Sequence, residues 1–225
     1  MAEHPRWQAH LASGYDRIME GSSSDFLERI KTDPSYRLSV LRDPRDLHRT
    51  FFLPFVPSSH PEYAGTYRGT PWTSLECRIM GAPSLAELSS EFAFEEPAGM
   101  PEKVAYLLAQ VLGELAAARR APPYEQLLLL THQFCWFGKL HPFLDGNGHI
   151  QRGLFAALAA ELDIPLSARF ALHPRSFDRL LAWALELFTR AEESDRPTYI
   201  AMVAEYLAAW LAGPFEQPGS GIPPA

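Results

Sequence analysis

The chain has 225 residues, 47% of them hydrophobic, and can therefore bury the core of one domain of ordinary to large size. Its formal net charge of −7 leaves no broad basic surface for a nucleic-acid backbone, so we expect no nucleic-acid partner. No stretch approaches the roughly 18 apolar residues of a membrane helix, and only Cys77 and Cys135 occur, which together predict a cytoplasmic protein with no membrane partner.

The first 59 residues predict an N-terminal helical segment. Residues 6 to 20 carry apolar side chains at helical spacing and predict a helix that stops at Glu20-Gly21. Asp25 followed by Glu28 predicts the start of a short second helix over residues 26 to 31. Between residues 33 and 62 the prolines forbid a long helix, so we expect short turns with a helix near residues 36 to 42.

Residues 64 to 79 change the character of the chain. Gly65 and Gly69 interrupt the stretch, while side chains such as Trp72 favour extended backbone. The pattern predicts two short strands that form a small β-hairpin within residues 64 to 79. An exposed strand edge of this kind can accept an extended segment of a target protein through backbone hydrogen bonds.

From Pro101 onward the chain is plainly helical. Apolar side chains repeat every three or four residues, which predicts five helices. Their apolar stripes cover residues 104–115, 127–140, 150–162, 177–188 and 200–210. The fold class is therefore all-α with a small hairpin, and the Pro- and Gly-rich residues 213–225 are predicted to be a disordered tail.

Residues 141–152, which read HPFLDGNGHIQR, join two of these apolar helices. The Gly-Asn-Gly turn at 146–148 allows close backbone approach where a helix begins, so free N–H groups there predict an anion site. Asp145 is a suitable ligand for a phosphate-bound Mg²⁺, and Arg152 has the fork geometry for a terminal phosphate. His141 adds a base at a helix end. These groups together predict phosphoryl or nucleotidyl transfer.

The same segment is open to two other interpretations. Histidines 132, 141, 149 and 173 raise a metal-hydrolase alternative, but the chain has neither HExxH nor Cys-x-x-Cys, which argues against a transition-metal site. Alternatively the turn is only a helix connection and His141 a buried packing residue. His132 and Cys135 are expected to be structural residues of the helix that precedes the loop.

The motif resembles that of the Fic family, H-P-F-x-(D/E)-G-N-G-R-x-x-R. It keeps every fixed position except one, because His149 stands where the family has its first arginine. The resemblance implies a mostly helical enzyme that moves AMP from ATP onto a protein hydroxyl, with a core domain over residues 60–212. Residues 64–68 also resemble the family's A-G-x-Y-R element, which leads into a hairpin flap, so Tyr67 and Arg68 are implied to belong to a flap that docks the target.

The resemblance implies a role for each matching residue. His141 matches the base that takes the proton of the target hydroxyl, and Asp145 matches the ligand of Mg²⁺. The implied nucleotide- and phosphate-binding residues are Gly146, Asn147, Gly148, His149 and Arg152. The implied donor is ATP with Mg²⁺ as cofactor, and the implied partner is a protein that bears a Ser, Thr or Tyr hydroxyl. A homodimer is compatible with this assignment.

The replacement at His149 keeps other functions open. A shorter, mostly neutral imidazole cannot reproduce a guanidinium fork at a phosphate. Transfer of UMP, phosphocholine or phosphate is therefore one alternative, and an inactive nucleotide-binding or protein-docking module is another.

Many Fic proteins are inhibited by a helix reading (S/T)-x-x-x-E-(G/N), whose glutamate pairs with the last arginine of the motif. Glu20-Gly21 fits this pattern, although Asp16 stands in for the hydroxyl residue. Glu20 is therefore expected either to inhibit through Arg152 or to be a surface residue before a helix stop. In a third arrangement the inhibitory helix would belong to a partner chain.

Overall fold

The computed structural model describes residues 7–87, 90–174, 178–213 and 215. Within these ranges the chain forms eight α-helices and a two-stranded antiparallel sheet, which confirms the predicted fold class. The helices are α1 Tyr15–Thr32, α2 Pro34–Arg42, α3 Arg45–Phe52, α4 Met100–Ala118, α5 Pro123–Leu140, α6 Asn147–Glu161, α7 Arg179–Arg190 and α8 Arg196–Ala208, and the strands are β1 Gly81–Pro83 and β2 Glu91–Ala93. Apart from Gly213 and Phe215, the predicted tail lies outside the described residues.

Helix α5 forms the centre of the bundle. It packs against α4, α6, α7 and α8, while α6 also packs against α1 and α2. Phe134, Phe137 and Phe155 are among the large side chains that these contacts bury completely. The N-terminal helices belong to the same apolar core as the rest of the chain. In the described ranges, no helix is both long enough and apolar enough to cross a membrane.

Helix α1 does not stop at Gly21, as the sequence suggested. It runs through Gly21 and the following serines to Thr32, and it absorbs the short helix that was expected over residues 26 to 31. The reason is that buried positions continue across the glycine, with Met19, Phe26 and Ile30 on one face. Burial of such side chains contributes more than the ~1 kcal/mol that glycine costs inside a helix.

The proline-rich stretch holds more helix than expected. The helix predicted near residues 36 to 42 is present as α2, where Asp33 caps the first turn by accepting the N–H of Tyr36. Helix α3 was not predicted. It fits between the prolines at 44 and 54 and buries Leu47, Phe51 and Phe52 on one side.

The β-hairpin lies later in the chain than predicted. Residues 64–79 form turns, because Gly65, Gly69 and Trp72 all have positive φ angles that interrupt an extended strand. The strands follow at 81–83 and 91–93, with Ala82 opposite Phe92 in the ladder. Neither three-residue strand contains a β-branched residue, so strand propensity gave no signal there.

Candidate active site

A cavity of about 840 Å³ opens beside the loop between α5 and α6. His141, Asp145 and residues 146–149 line one wall of it. Residues of the hairpin and of α7 also line it, and the start of α1 borders the cavity near His149. The structure therefore brings most of the predicted site residues together around one space of a size that suits a nucleotide.

His141 is held in an unusual backbone conformation at the end of α5. Its φ and ψ angles are 47° and 57°, and its N–H closes the helix by donating to the carbonyl of Phe137. The imidazole stacks on Phe94, which directly follows β2, with ring centroids 3.8 Å apart. A left-handed residue that is not glycine costs free energy and is typical of functional positions. The hairpin thus covers one face of the predicted base.

Hydrogen bonds between its own polar groups fix the conformation of the loop after His141. The Asn147 side chain accepts the N–H of Phe143 at 2.8 Å and donates to the carbonyl of Phe143 at 2.7 Å. Gly146 has a φ of 78°, and a Cβ there would lie 2.3 Å from the Phe52 ring, so only glycine fits. The Asn147 side chain therefore shapes the loop, and the first-turn backbone amides of α6 remain the groups suited to an anion.

The side chain of His48, in α3, is hydrogen-bonded to this loop. No sequence pattern indicated that His48 belongs to the site. Its Nδ1 accepts the N–H of Gly65 at 2.9 Å, so its Nε2 carries the proton and donates to the carbonyl of Asp145 at 2.9 Å. The ring is fully buried between Phe143 and Phe52. Burial lowers the pKa of His48 to about 3, so the imidazole is neutral at physiological pH.

Asp145, the predicted metal ligand, already accepts two hydrogen bonds. Its Oδ1 accepts the N–H of Gly146 at 2.7 Å. Its Oδ2 accepts the N–H of Ala9 at 2.8 Å, from the short 3₁₀ turn that precedes α1. A carboxylate oxygen has more than one lone pair, but a metal ion at Oδ2 has to share that oxygen with an N–H donor or displace it. The N-terminal turn therefore lies directly against the expected metal position.

His149 lines the cavity in contact with a second histidine. Its Nε2 lies 3.3 Å from Nδ1 of His173, which comes from the connection between α6 and α7. The edge of Tyr15 packs against both rings, with centroid distances of 6.4 Å and 5.6 Å. In the sequence analysis His173 belongs only to the metal alternative, and nothing in its spacing indicates that it contacts His149.

Arg152 does not line the cavity with the other motif residues. Its Nη1 donates to the carbonyl of Ala171 at 3.1 Å, and its guanidinium lies 4.2 Å from the centroid of the Trp210 ring. The residue is only 8% exposed. The predicted contact between Arg152 and the donor's outer phosphate is therefore not prepared in this structure, because the guanidinium is directed toward α8.

Tyr67 and Arg68 also differ from their expected role. Both are buried, with 4% and 0% of their surface exposed. The Arg68 guanidinium donates to the backbone carbonyls of Leu140 and His141 at the end of α5 and to two more in the segments on either side of the hairpin. Burial lowers its pKa to about 10, so it stays charged. Arg68 therefore links the hairpin to the end of α5, and as buried residues neither Tyr67 nor Arg68 is available to contact a target.

Glu20 is exposed on α1, and the described contacts of Arg152 are with Ala171 and Trp210. An ion pair between Glu20 and Arg152 is thus not formed in this structure. At the start of α1, Tyr15 packs against His149 of the motif, and Oδ1 of Asp16 lies 3.3 Å from Nε2 of His173. The inhibitory role of Glu20 therefore has no support from its position.

The metal-hydrolase alternative gains no support from the geometry. Within the residues that the structure describes, no group of three or more histidine, cysteine or acidic side chains is arranged to hold a metal ion. Cys135 is fully buried in α5, and burial raises the pKa of its thiol, so it is a core residue as expected. His132 lies on the same helix, next to Trp136 and away from the cavity.

Comparison with known proteins identifies the family of the chain. The model of the Fic/DOC family matches residues 41–159, which is more than half of the chain. The chain belongs to the Fic/DOC family. Among solved structures, it is similar to the crystal structure of a Fic domain containing signaling protein from Bacteroides thetaiotaomicron VPI-5482, with a TM-score of 0.58 and 18% identity, over 86% of this chain and 69% of that one. No curated protein matches the chain.

In this Fic/DOC protein the hairpin is anchored by an acidic residue that the sequence analysis missed. Glu186 of α7 is 1% exposed and accepts hydrogen bonds from the Ser84 hydroxyl at 2.5 Å and the Leu85 N–H at 2.6 Å. Burial raises the pKa of Glu186, but these hydrogen bonds and Arg190 lower it further, so the net shift is downward. The sequence signal that could have revealed this role is that Glu186 is a single acidic residue among the apolar residues of α7.

Proposed function

We propose that this Fic/DOC protein transfers AMP from Mg·ATP to a Ser, Thr or Tyr hydroxyl of a protein. The observation that carries the proposal is the position of His141 beside the first turn of α6 on one wall of the same cavity. Family membership supports a transferase of the Fic type. The identity of the transferred group rests on the chemistry of the motif.

The proposed reaction follows from the residues of the cavity. His141 takes the proton of the target hydroxyl, the hydroxyl oxygen forms a bond to the α-phosphorus of ATP, and the bond from that phosphorus to the departing pyrophosphate breaks. A base held at a helix end, beneath the Phe94 ring, needs little reorientation to act. The amides at the start of α6 stabilise negative charge that develops on the phosphates.

The residues present are compatible with a magnesium ion that arrives with the nucleotide. Mg²⁺ in nucleotide sites keeps several waters and takes one or two protein carboxylates together with phosphate oxygens. Asp145 is a carboxylate of this kind on the cavity wall, and it would hold the ion. When bound, Mg²⁺ supplies neutralisation of phosphate charge. Asp145 must first release or share the N–H of Ala9.

Labelled nucleotide tests this function. The wild-type chain, incubated with Mg²⁺ and ATP labelled on the α-phosphate, is expected to label itself or a protein in a lysate. His141→Ala should reduce the rate by about 10² to 10⁴ because general-base catalysis typically contributes that much. His132→Ala is the matched control, since it removes a histidine of the same helix that does not line the cavity. Equal labelling by wild type and His141→Ala would refute the enzymatic assignment.

A different phosphate-containing donor is the second candidate. The observation in its favour is that Arg152 packs on Trp210 while an imidazole occupies the position of the family's first arginine. Labelled UTP, a phosphocholine donor and γ-labelled ATP, tested in parallel, separate UMP, phosphocholine and phosphate transfer from AMP transfer. Absence of transfer from every donor, with nucleotide still bound, would identify an inactive binding module.

The remaining assignments follow from the same proposal. The partner is a protein with an accessible hydroxyl, and the hairpin, which borders the cavity beside His141, is the surface that it would approach. We place the reaction in the cytoplasm, where both cysteines stay reduced. A homodimer stays a prediction.

A further inference from the structure

We propose that His173, paired with His149, contacts the outer phosphate of the donor, in place of the motif's last arginine. The inference rests on the proposed function, because it requires a donor with a phosphate chain. It assigns a binding role to a residue outside the motif. It also explains the histidine at position 149, which pairs with His173.

The first observation is the position of Arg152. Its guanidinium contacts the Ala171 carbonyl and the Trp210 ring, and Arg152 is not among the residues that line the cavity. Among the motif side chains that can carry positive charge, His141 and His149 line the cavity, and His141 is the proposed base. A phosphate chain at the start of α6 therefore meets His149 and its partner His173.

The second observation is the contact between the two rings. Nε2 of His149 and Nδ1 of His173 lie 3.3 Å apart, so one proton is shared between them. Nε2 of His173 faces the Asp16 carboxylate at 3.3 Å, and that negative charge favours a proton on this nitrogen. His149 is then the donor in the shared hydrogen bond, and His173 presents an N–H.

The third observation is that this N–H has no hydrogen-bond acceptor. The His173 side chain is 6% exposed, and its Nε2 is buried without a hydrogen-bond partner in the described part of the chain, since the approach of Asp16 lacks the required geometry. A buried donor left unpaired is unfavourable. A phosphate oxygen that reached it would accept this hydrogen bond and remove that penalty.

Aromatic side chains hold the two histidine rings in place, whereas the Asp16 side chain is free to move. Tyr15 packs its edge on both rings, and Phe52 approaches His149 with a centroid distance of 5.8 Å. The Asp16 side chain is 91% exposed, so it can turn into solvent when an anion arrives. Arg152 also holds the carbonyl of Ala171, two residues before His173, and therefore helps to position that ring.

Calorimetric titration with Mg·ATP, pyrophosphate and AMP tests the pair. His149→Gln and His173→Gln should each weaken ATP and pyrophosphate binding about tenfold, as expected for a charge-assisted hydrogen bond. The double variant should bind only slightly more weakly than either single variant, because the rings act as a unit. AMP lacks the outer phosphates, so its affinity should stay within about twofold. His132→Gln is the matched control and should bind all three probes like wild type.

Asp16→Asn adds a test that does not disturb the core. Removal of the carboxylate near His173 should tighten ATP binding severalfold, whereas AMP binding should not change. Unchanged ATP affinity in His173→Gln, equal losses for ATP and AMP, no gain in Asp16→Asn, or no binding of ATP and pyrophosphate by wild type would each overturn the inference. If ATP binding depends on His173 but wild type transfers no label, the inference stands and the proposed function fails.

Discussion

At the scale of single residues, His48 shows how a buried imidazole determines the shape of the loop above it. One ring nitrogen accepts the Gly65 N–H and the other donates to the Asp145 carbonyl, so the ring links the segment before the hairpin to the motif. Both bonds require the neutral tautomer. Because burial lowers the pKa of His48 to about 3, the folded protein does not accept a second proton in mild acid.

We predict that the protein loses stability as the pH falls from about 6.5 toward 3. Over this interval the unfolded chain protonates His48 and the folded chain does not, so each pH unit costs up to ~1.4 kcal/mol at this residue. His48→Gln can keep both hydrogen bonds without titrating, so its stability should depend less on pH. Urea unfolding between pH 7 and 4 measures the difference. The exposed control His10→Gln should follow wild type, and equal slopes for wild type and His48→Gln would contradict the prediction.

Arg68 supports a second prediction at this scale. Its planar fork reaches four backbone carbonyls, which a lysine ammonium cannot match. Arg68→Lys should lower the free energy of unfolding by about 2–4 kcal/mol and also reduce transfer, because the His141 carbonyl is one of the four acceptors. Arg45→Lys, at a half-exposed pair with Asp43, is the control and should cost less than ~1 kcal/mol. Similar losses in the two variants would exclude a special role for Arg68.

At the scale of elements, the hairpin depends on α7 for its position. Glu186 accepts hydrogen bonds from Ser84 and Leu85 at the end of β1. The net pKa of Glu186 is lowered, so its contribution to stability is present above about pH 4.5 and is lost as the pH falls below that value. The carboxylate therefore keeps the short hairpin against the cavity at physiological pH.

Glu186→Gln should loosen the hairpin without unfolding the bundle. We expect faster hydrogen exchange over residues 81–93, and slower labelling of a protein target at saturating ATP, because the hairpin then holds the target less well. The affinity for ATP itself should change less than about threefold. Glu193→Gln, an exposed acid beyond the end of α7, serves as the matched control. Wild-type exchange rates in the Glu186 variant would show that the hairpin is held by other contacts.

The elements also show which predictions sequence can support. The helices α4 to α8 were predicted because apolar side chains recur at regular helical spacing and are buried in the core. The end of α1 was wrong because Gly21 is exposed and its cost is outweighed by burial on either side. The hairpin was misplaced because its strands are fixed by partners distant in the chain, such as Glu186, and not by local propensity.

The same distinction applies to the candidate site. His141, Asp145 and the glycine turn follow one another in the chain, so a motif could predict them. His48, His173 and Ala9 join the site only through folding, and no local pattern marks them. Arg152 shows the converse, since it matches the motif but packs on Trp210. Motif spacing indicates which side chains are available, and the packing decides which of them face the cavity.

At the scale of the whole molecule, the N-terminal segment packs against the part of the bundle that forms the candidate site. Trp7 packs on Phe52 and Tyr63 and donates through Nε1 to the Phe55 carbonyl at 2.9 Å. Two residues later the N–H of Ala9 reaches Asp145. The beginning of the described chain is thus attached to the residue expected to hold the metal.

Ala9→Pro tests this attachment because it removes the backbone N–H that donates to Asp145. Gln8 is extended and Ala9 opens a 3₁₀ turn, so proline fits the backbone but cannot donate to Asp145. We expect Mg·ATP to bind about three- to tenfold more tightly, because the carboxylate no longer has to release an N–H. Ala9→Ser keeps the N–H and should bind like wild type. Calorimetry in the presence of Mg²⁺ measures both, and weaker binding by the proline variant would refute the competition.

If Asp145 holds Mg²⁺ as proposed, the N–H of Ala9 and the metal ion compete for one oxygen atom of its carboxylate. Thermodynamic linkage makes this competition reciprocal. The factor by which the docked N-terminal turn lowers the affinity for the metal ion equals the factor by which the bound ion disfavours docking of the turn. The exchange rate of the Ala9 amide would therefore report whether the metal is bound. On the proposed function, a molecule that draws residues 7–12 away from the bundle would raise the affinity for Mg·ATP by releasing Asp145 from the Ala9 N–H.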